Sequence, residues 1–407
     1  MEIEVQLPET NKKARIPLIR TNILDNAPIT VIENGIARTF SGEQAHHGDH
    51  AHYRDIKTKS TISVRIQNND TRINGHVMHE GTAYFITNSS VAKTAGSIKS
   101  HKINIDQVLS RKKRQGNQAA TEYEVELLIL CDHTVWNLFK TVYGNDDKAL
   151  TELHFYYTHI LNGMDTAFRN IGQPSISVKC VGLTVAKTLA DVKWMSKSGP
   201  YYDTNAEVDF YYMMAYAKDK PADHVMAFTR SNIRFNEAGS EIAGVALFAG
   251  ACSDQRLSIV KDEGLHSWGV AAHELAHSLG ADHDDNKPQC EKWRKFIQTP
   301  VLSDYSIGDV ANSYRFSKCS VEEMKSFLST KNATCLKSRQ STAKAVLTSN
   351  ASEGAREFND SSCNLRKNSL LADRARLEAG DEERTKSPGR HAVWKQAKLQ
   401  LERPMHG

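Results

Sequence analysis

Three histidines in the segment Ala271–Asp285 have a spacing that suits one metal ion. His273 and His277 are four residues apart, so on a helix they lie one turn above each other on the same face. A straight helix would carry His283 about 9 Å further along and turn it away from the pair. Gly280 can adopt the left-handed conformation that ends a helix, so the chain can turn back there and bring the third imidazole to the same ion.

A zinc ion held by three neutral imidazoles keeps its full double charge and one open position, which lowers the pKa of a bound water to about 7. Glu274 is placed to take the proton of zinc-bound water as it attacks a peptide carbonyl, and to pass that proton to the leaving amine. The whole pattern, with Gly280, His283 and Asp284 at fixed offsets, has a chance probability on the order of one in 10⁵. These residues therefore predict one catalytic zinc ion and hydrolysis of peptide bonds.

The other histidines have no such spacing. A histidine-dense stretch is able to bind a transition metal, but no helix or turn signal fixes its geometry, so we favour a solvated loop by about four to one. This stretch contains His46, His47, His50 and His52. A second group is interpreted as ordinary packed or surface residues, namely His154, His159, His224 and His266.

Strand and helix patterns around the zinc motif indicate an α/β domain. Val125–Cys131 is a nearly continuous apolar run, as expected of a strand covered on both faces. Leu150–Phe168 has apolar residues at helical spacing, and Ile176–Val185 and His224–Phe228 are further predicted strands. Ile242–Phe248 is interrupted by glycine and is expected at an edge of the sheet.

The chain has 407 residues, enough for two or three folded units, and 40% of them are hydrophobic. It lacks the run of about 18 apolar residues that a membrane span needs, and a formal charge of +4 gives no reason to expect a nucleic-acid partner. We divide it into residues 1–114, residues 115–336, which form the α/β domain, and residues 337–407, a polar and mostly disordered tail. We expect a monomer.

The first block contains no cysteine and alternates like β-structure at Ile62–Ile66 and Thr82–Thr87. It ends in the basic run Arg111–Arg114, which fits a proprotein convertase site, with a solvated loop given about one chance in three. Met1–Thr10 shows no export signal, whereas the cysteines and Asn-x-Ser/Thr sites favour a secreted glycoprotein truncated at its N-terminus. The sites are Asn69, Asn88, Asn332, Asn350 and Asn359.

The segment His273–Asp284, HELAHSLGADHD, resembles the long zinc signature of metzincins, and the aspartate after the third histidine is the mark of the reprolysin (adamalysin) branch. Ala243–Asp254 followed by Ser258–Val260 resembles the edge strand and cysteine loop of that branch, most like arthropod venom and salivary metalloproteases of the antarease type. Ala51–Arg54 with Val77–Ile86 resembles the propeptide of such enzymes.

The resemblance implies a secreted zymogen. A β-rich propeptide precedes a catalytic domain with a five-stranded, twisted, mostly parallel sheet, a long active-site helix and a small C-terminal lobe. Extended protein or peptide substrates lie along the edge strand, where backbone pairing gives affinity. In this sequence the edge strand comprises Ala243, Gly244, Val245 and Ala246.

The family pattern also pairs cysteines. It implies two bridges, Cys252–Cys335 and Cys290–Cys319. Cys131 and Cys180 lie on two strands expected to be neighbours, so they form either a third bridge or two buried thiols. Cys363 is then left free or bonded to another molecule.

Two departures from the family are visible. The best candidate for the methionine turn beneath the zinc is Val301–Ser303, with Leu302 in the methionine's place. Residues 1–114 hold no cysteine to block the zinc, so latency must come from steric occlusion or another ligand.

Glu126 matches a calcium ligand of some relatives, but the residues after Cys335 do not match the other ligands, and no calcium is assigned.

Two other functions compete with a zinc endopeptidase. A catalytically weakened relative that acts as a binding toxin or ligand would have lost Glu274 or a histidine ligand, and all of these are present. A cytosolic metal-binding protein would require reduced cysteines and unglycosylated sequons.

Overall fold

The computed structural model describes residues 2–6, 13–21, 23, 27–41, 49–67, 70–80, 82–86, 122–196, 204–235, 241–284, 289–300 and 311–337. All of them belong to one of the two compact units of the chain, the one that contains residues 1–338. Several predictions from the sequence lie outside the described residues, namely those on His46, His47, Arg111–Arg114, Leu302, Cys363 and the tail.

The described part of the N-terminal block consists of strands. They are β1 (Glu2–Gln6), β2 (Lys13–Pro17), β3 (Ile19–Thr21), β4 (Ile29–Glu33), β5 (Ile36–Phe40), β6 (Asp49–Asp55), β7 (Ser60–Gln67), β8 (Asp70–His79) and β9 (Thr82–Ile86). The alternation at residues 62–66 and 82–87 therefore predicted β7 and β9 correctly.

From residue 122 onward, strands alternate with helices. The strands are β10 (Tyr123–Cys131), β11 (Ile176–Ala186), β12 (Thr204–Asn205), β13 (His224–Thr229), β14 (Ile233–Arg234), β15 (Glu241–Ile242), β16 (Gly244–Ala246) and β17 (Leu257–Lys261). The helices are α1 (His133–Tyr143), α2 (Asp146–Arg169), α3 (Ala206–Ala217), α4 (Ser267–Ser278) and α5 (Lys318–Leu328). Among these helices, none is both long and apolar enough to cross a membrane.

The central sheet of the described residues has the order β16-β17-β13-β10-β11-β4-β5. Its inner pairs are parallel, and the outermost pair at each edge is antiparallel. Five strands come from the α/β domain, as expected, but the sheet has seven because the hairpin β4–β5 extends it. Val31 on β4 lies opposite Val185 on β11, so the N-terminal block covers what would otherwise be a sheet edge.

A second sheet of the N-terminal block is antiparallel throughout, in the order β3-β6-β7-β8-β9. Its own core includes Leu18, Ile62 and Val77. Here the prediction of a solvated loop at His50 and His52 is wrong, because both lie buried in β6. The contact that buries them is made with helix α2, far away in sequence.

Helix α2 runs between the two sheets and packs on β11 on one side and on β6 and β7 on the other. Its N-cap is Asn145, whose side chain accepts a bond of 3.1 Å from the N–H of Lys148. Because both faces of the helix are covered, polar residues are buried along it. These are Thr151, Glu152, His154, Thr158, His159, Asn162, Asp165 and Thr166.

Candidate metal centre

Helix α4 places His273 and His277 one turn apart, and both side chains are buried. The helix ends as the sequence predicts, with Gly280 at a φ of 87°. A Cβ on Gly280 would stand 2.8 Å from the Cβ of Phe327, so both the backbone conformation and the close packing require glycine. After this turn the chain returns His283 to the other two histidines.

The three Nε2 atoms face one another. They are 2.9 Å apart between His273 and His277, and each of these is 3.2 Å from Nε2 of His283. The Nδ1–H groups of His273 and His277 donate to the carbonyls of Ile297 and Ala281, both at 2.7 Å. Each of these two rings therefore presents a lone pair at Nε2, and such lone pairs repel unless a cation lies between them.

The donor set fits zinc. Zn–N bonds of about 2.0–2.1 Å in tetrahedral geometry hold the nitrogens about 3.3 Å apart, close to the spacing here. Burial, followed by the neighbouring His283, lowers the pKa of His277 to about 3. Burial also lowers the pKa of His273 well below its ordinary value. Both imidazoles are therefore neutral at neutral pH, which is the form that binds a metal.

The segment that contains Ile297 and Gln298 forms the floor beneath the histidines. The side-chain amide nitrogen of Gln298 lies 3.3 Å from Nδ1 of His277. The backbone carbonyl of Gln298 accepts a bond of 2.8 Å from the N–H of Asp284. Residue types alone do not reveal this floor, because its contacts are made largely through the backbone carbonyls of Ile297 and Gln298.

Asp284 connects the segment after the third histidine to the start of helix α5. Its Oδ1 accepts bonds from the hydroxyls of Ser317 at 2.5 Å and Ser320 at 3.2 Å. Ser317 is also the N-cap of α5, where its oxygen accepts from the N–H of Ser320 at 3.1 Å. The aspartate used above as a family mark thus fixes the chain just after His283.

Glu274 is buried beside the triad on the same helix. Its Oε2 has no hydrogen-bond partner among the described residues, and burial raises the pKa of its carboxyl well above the ordinary value. Gly244 of the edge strand lies directly against this side chain. A buried acceptor with spare capacity at this position suits a water molecule or a reacting proton.

Strand β16 forms an edge of the central sheet as the structure describes it. The carbonyl of Ala243 accepts a bond of 2.8 Å from β17, and the N–H of Leu247 donates one of 3.1 Å to it. Backbone groups alternate along an antiparallel strand, so those of Val245 also face β17. The backbone groups of Gly244 and Ala246 therefore face away from the sheet, where an extended peptide can pair with them.

The described residues contain two disulfides, Cys252–Cys335 and Cys290–Cys319, with Cα–Cα distances of 5.8 Å and 6.1 Å. They join the cysteines that the family resemblance pairs. Cys131 and Cys180, for which two alternatives were open, are buried thiols. Burial raises the pKa of Cys180 to about 12 and that of Cys131 well above its ordinary value, so neither is a reactive thiolate at neutral pH.

Glu126, which matches a calcium ligand of some relatives, has a cationic partner within the chain. Its carboxylate lies 2.9 Å from Nζ of Lys179. The N–H of Glu126 donates to the carboxylate of Asp223 at 2.9 Å. We assign no calcium to this cluster.

The chain is similar in sequence to known zinc metalloproteases. A family model described as "Reprolysin (M12B) family zinc metalloprotease" matches residues 125–339, which is more than half of the chain. Venom metalloproteinase 3 of Eulophus pennicornis is 24% identical over 311 residues, covering 70% of this chain and 72% of that protein.

Two human relatives are much longer than the matched region. "A disintegrin and metalloproteinase with thrombospondin motifs 19" of Homo sapiens is 32% identical over 97 residues, which are 24% of this chain and 8% of that protein. "A disintegrin and metalloproteinase with thrombospondin motifs 8" of Homo sapiens is 32% identical over 142 residues, which are 32% of this chain and 15% of that protein. The crystal structure of metalloproteinase-II from Bacteroides fragilis aligns with a TM-score of 0.41 and 13% identity, over 80% of this chain and 91% of that one.

Proposed function

Because the chain belongs to the reprolysin (M12B) family of zinc metalloproteases, we propose that it is a secreted endopeptidase that cleaves protein substrates. His273, His277 and His283 bind one zinc ion, and Glu274 is the catalytic base. The observation that carries this proposal is the convergence of three buried Nε2 atoms beside a buried glutamate at a sheet edge.

Zinc, when bound there, supplies a Lewis acid that polarises the scissile carbonyl and lowers the pKa of water. Glu274 orients the attacking water through its second carboxylate oxygen and accepts the proton that this water loses. Burial raises the pKa of this carboxyl, which favours its uptake of the proton from water. The same proton then passes from Glu274 to the leaving amine, which departs as a neutral group.

Extended substrates pair with the outward backbone groups of Gly244 and Ala246. This pairing depends on the main chain and reads few side chains, so it suits proteins in general. Selectivity then rests on side-chain pockets beside the metal centre.

We further propose that residues 1–114 are a propeptide removed after Arg114, that residues 115–336 are the protease, and that residues 337–407 are a polar tail. Secretion is supported by the two disulfides, which form in oxidising compartments, and by Asn332, an exposed glycosylation acceptor. Similarity to a venom metalloproteinase makes a venom or salivary role the setting that we propose.

The test compares the Glu274→Gln variant with Glu322→Gln, an exposed glutamate on α5. Glu274→Gln should keep about one zinc ion per chain while cleavage of a protein substrate falls by a factor on the order of 10² or more. Glu322→Gln should retain both zinc and activity. Full activity in zinc-loaded Glu274→Gln would overturn the proposed role of the base.

A further inference from the structure

Five buried histidines, which the proposed zinc centre does not use, lie where the N-terminal sheet meets the α/β domain. They are His50, His52 and His76 from the sheet, and His154 and His159 from helix α2. Each is at most 8% exposed. Within the part of the chain that the structure describes, they form no group whose nitrogens are close enough to share a metal ion. We call this contact the histidine interface.

Ser63 on β7 links two of these histidines across the contact. Its Oγ lies 2.8 Å from Nδ1 of His52 and 2.8 Å from Nδ1 of His159. A hydroxyl has one proton to donate and two lone pairs, so at most one of the two rings accepts from it. Two neutral imidazoles satisfy this bridge when one ring donates and the other accepts. The rings of His50 and His154 meet beside it, with centroids 6.0 Å apart.

His76 on β8 occupies the other end of the histidine interface. Its ring stacks on Trp268 at 5.7 Å and 18°, and lies 4.6 Å from the ring of Tyr314. Its Nε2–H donates to the carbonyl of Lys59 at 2.7 Å, and its Nδ1 lies 3.1 Å from the hydroxyl of Thr61. These contacts enclose a neutral ring among aromatic side chains of the α/β domain.

Among the described residues, two carboxylates of helix α2 at the histidine interface are paired with arginines. Arg54 forms an ion pair with Asp165, which also accepts a bond of 2.8 Å from Nε of Arg169. Arg65 forms a second buried pair with Glu152. Because both carboxylates have arginine partners, they offer little stabilisation to a protonated imidazole nearby.

The pKa values of two of these histidines follow from this environment. Burial lowers the pKa of His76 to about 4, although its bond to the Lys59 carbonyl opposes the shift. Burial, and next the His76 ring, lowers the pKa of His159 to about 3. Lys59 and Arg315, which lie close enough to interact, add positive charge on this side. Exposed histidines have pKa values of about 6.5. Separation of the N-terminal part, which contains the sheet, from the α/β domain would therefore let both rings take up protons below that pH.

Contacts that do not involve histidine hold the N-terminal part on the α/β domain at neutral pH, and we call this associated state the joined form. Strand β4 pairs with β11 in the central sheet. The side-chain amides of Asn162 and Asn170 on α2 and just after it donate to the carbonyls of Tyr53 at 3.0 Å and Ile56 at 2.9 Å. The two buried ion pairs add to these bonds.

We propose that the N-terminal part stays bound to the protease through the histidine interface after the chain is cut between residues 87 and 121, and that acid releases it. The inference rests on the proposed processing of the chain, though not on its proteolytic activity. Below a pH of about 6.5, each of His76 and His159 weakens the joined form by about tenfold per pH unit. The two together raise the dissociation constant on the order of 10³-fold at a pH of about 5.

The test uses the full chain with Glu274→Gln, which prevents self-digestion, and with a recognition site for a sequence-specific protease in place of residues 111–114. The result is therefore independent of natural processing and of activity. After the cut, size-exclusion chromatography and surface plasmon resonance measure the association of the two parts. They should stay together at neutral pH, separate in mild acid and rejoin when the pH is restored.

Variants assign the effect to the histidines. His76→Gln and His159→Gln should each remove about a 30-fold share of the acid effect, and the double variant should remove a share on the order of 10³-fold. His79→Gln, on the same strand as His76 but with its side chain 33% exposed, should keep the full effect.

Three results would overturn the proposal. They are separation at neutral pH, an unchanged dissociation constant in mild acid, and an undiminished acid effect in the double variant. Far-ultraviolet circular dichroism of the separated parts adds a fourth, because unfolding of either part in mild acid would mean that release is denaturation. The wild-type measurement stands even if a variant fails to fold.

Discussion

Gly244 of the edge strand and Glu274 of helix α4 touch at a point that leaves no room for a side chain. A Cβ on Gly244 would stand 2.6 Å from Oε1 and 2.9 Å from Cγ of the glutamate. The strand proposed to bind substrate and the proposed base can therefore approach this closely only because residue 244 has no side chain. A displacement on either side of this contact changes the position of the carboxylate relative to the peptide.

The Gly244→Ala variant tests this relationship. The added methyl group should push the Glu274 carboxylate aside, so kcat should fall about 10- to 100-fold while the zinc content stays at about one ion per chain. Gly269→Ala is the matched control, because a Cβ at this helical position meets nothing within 4 Å. An unchanged kcat in Gly244→Ala would show that the carboxylate is not held by this contact.

His277→Ala should lose zinc and peptide-bond cleavage together, because two imidazoles bind the ion far more weakly than three. A chelator should reproduce the loss in the unmodified protein, and added zinc should reverse it. His266→Ala, at the exposed N-terminal end of α4, should leave both quantities unchanged. Zinc content by atomic absorption, measured beside activity, separates loss of the metal from loss of the base.

The parts of the site that the sequence predicted depend on local spacing. His273 and His277 share one helical turn, Gly280 ends that helix and His283 follows the turn, so the whole pattern lies within eleven residues. His50 and His52 failed the same kind of analysis because their burial is produced by helix α2, about 100 residues away in the chain. Local patterns describe a strand or a helix, but not which distant element will cover it.

The pairing of strands that are far apart in the chain could not be predicted from local patterns either. The hairpin β4–β5 has no residue pattern that specifies β11 as its neighbour, since parallel pairing depends on main-chain groups that every residue shares. The carbonyl of Ile297, which orients His273, was missed for the same reason. The family resemblance supplied what local spacing could not, namely the two cysteine pairs.

The two disulfides should differ in their effect on stability. Replacement of Cys252 and Cys335 by alanine opens a link between residues 83 apart, and chain-entropy models give a loss of about 4 to 5 kcal/mol. Replacement of the pair Cys290–Cys319, 29 residues apart, should cost about 3 to 4 kcal/mol. Urea denaturation of both double variants measures this order, and the reverse order would contradict the entropic account.

Processing at the basic run gives a test of the proposed zymogen. Replacement of Arg111 and Arg114 by alanine should trap a larger and latent species, whereas Lys112→Ala keeps both arginines and should be processed normally. In the unmodified protein, mass spectrometry should find a mature form that begins at Gln115. An uncut chain with full activity would mean that residues 1–114 do not restrain the enzyme.

The buried pair of Arg65 and Glu152 gives the last prediction, because it connects the N-terminal sheet to helix α2. Removal of one partner leaves the other charge buried without this ion pair, so Arg65→Met and Glu152→Met should each lower the free energy of unfolding of the full chain by about 3 to 5 kcal/mol. The double variant should lose much less than the sum, because neither charge of this pair then remains buried. The exposed pair of Lys318 and Glu322, with its atoms 3.8 Å apart, is the control, and its coupling should be only about 0.3 to 0.5 kcal/mol. Additive losses at the buried pair would show that the two charges do not compensate each other.

Glu152→Met should lower the stability of the protease only slightly once residues 1–114 are removed. Arg65 is then absent, and the carboxylate of Glu152 is solvated by water.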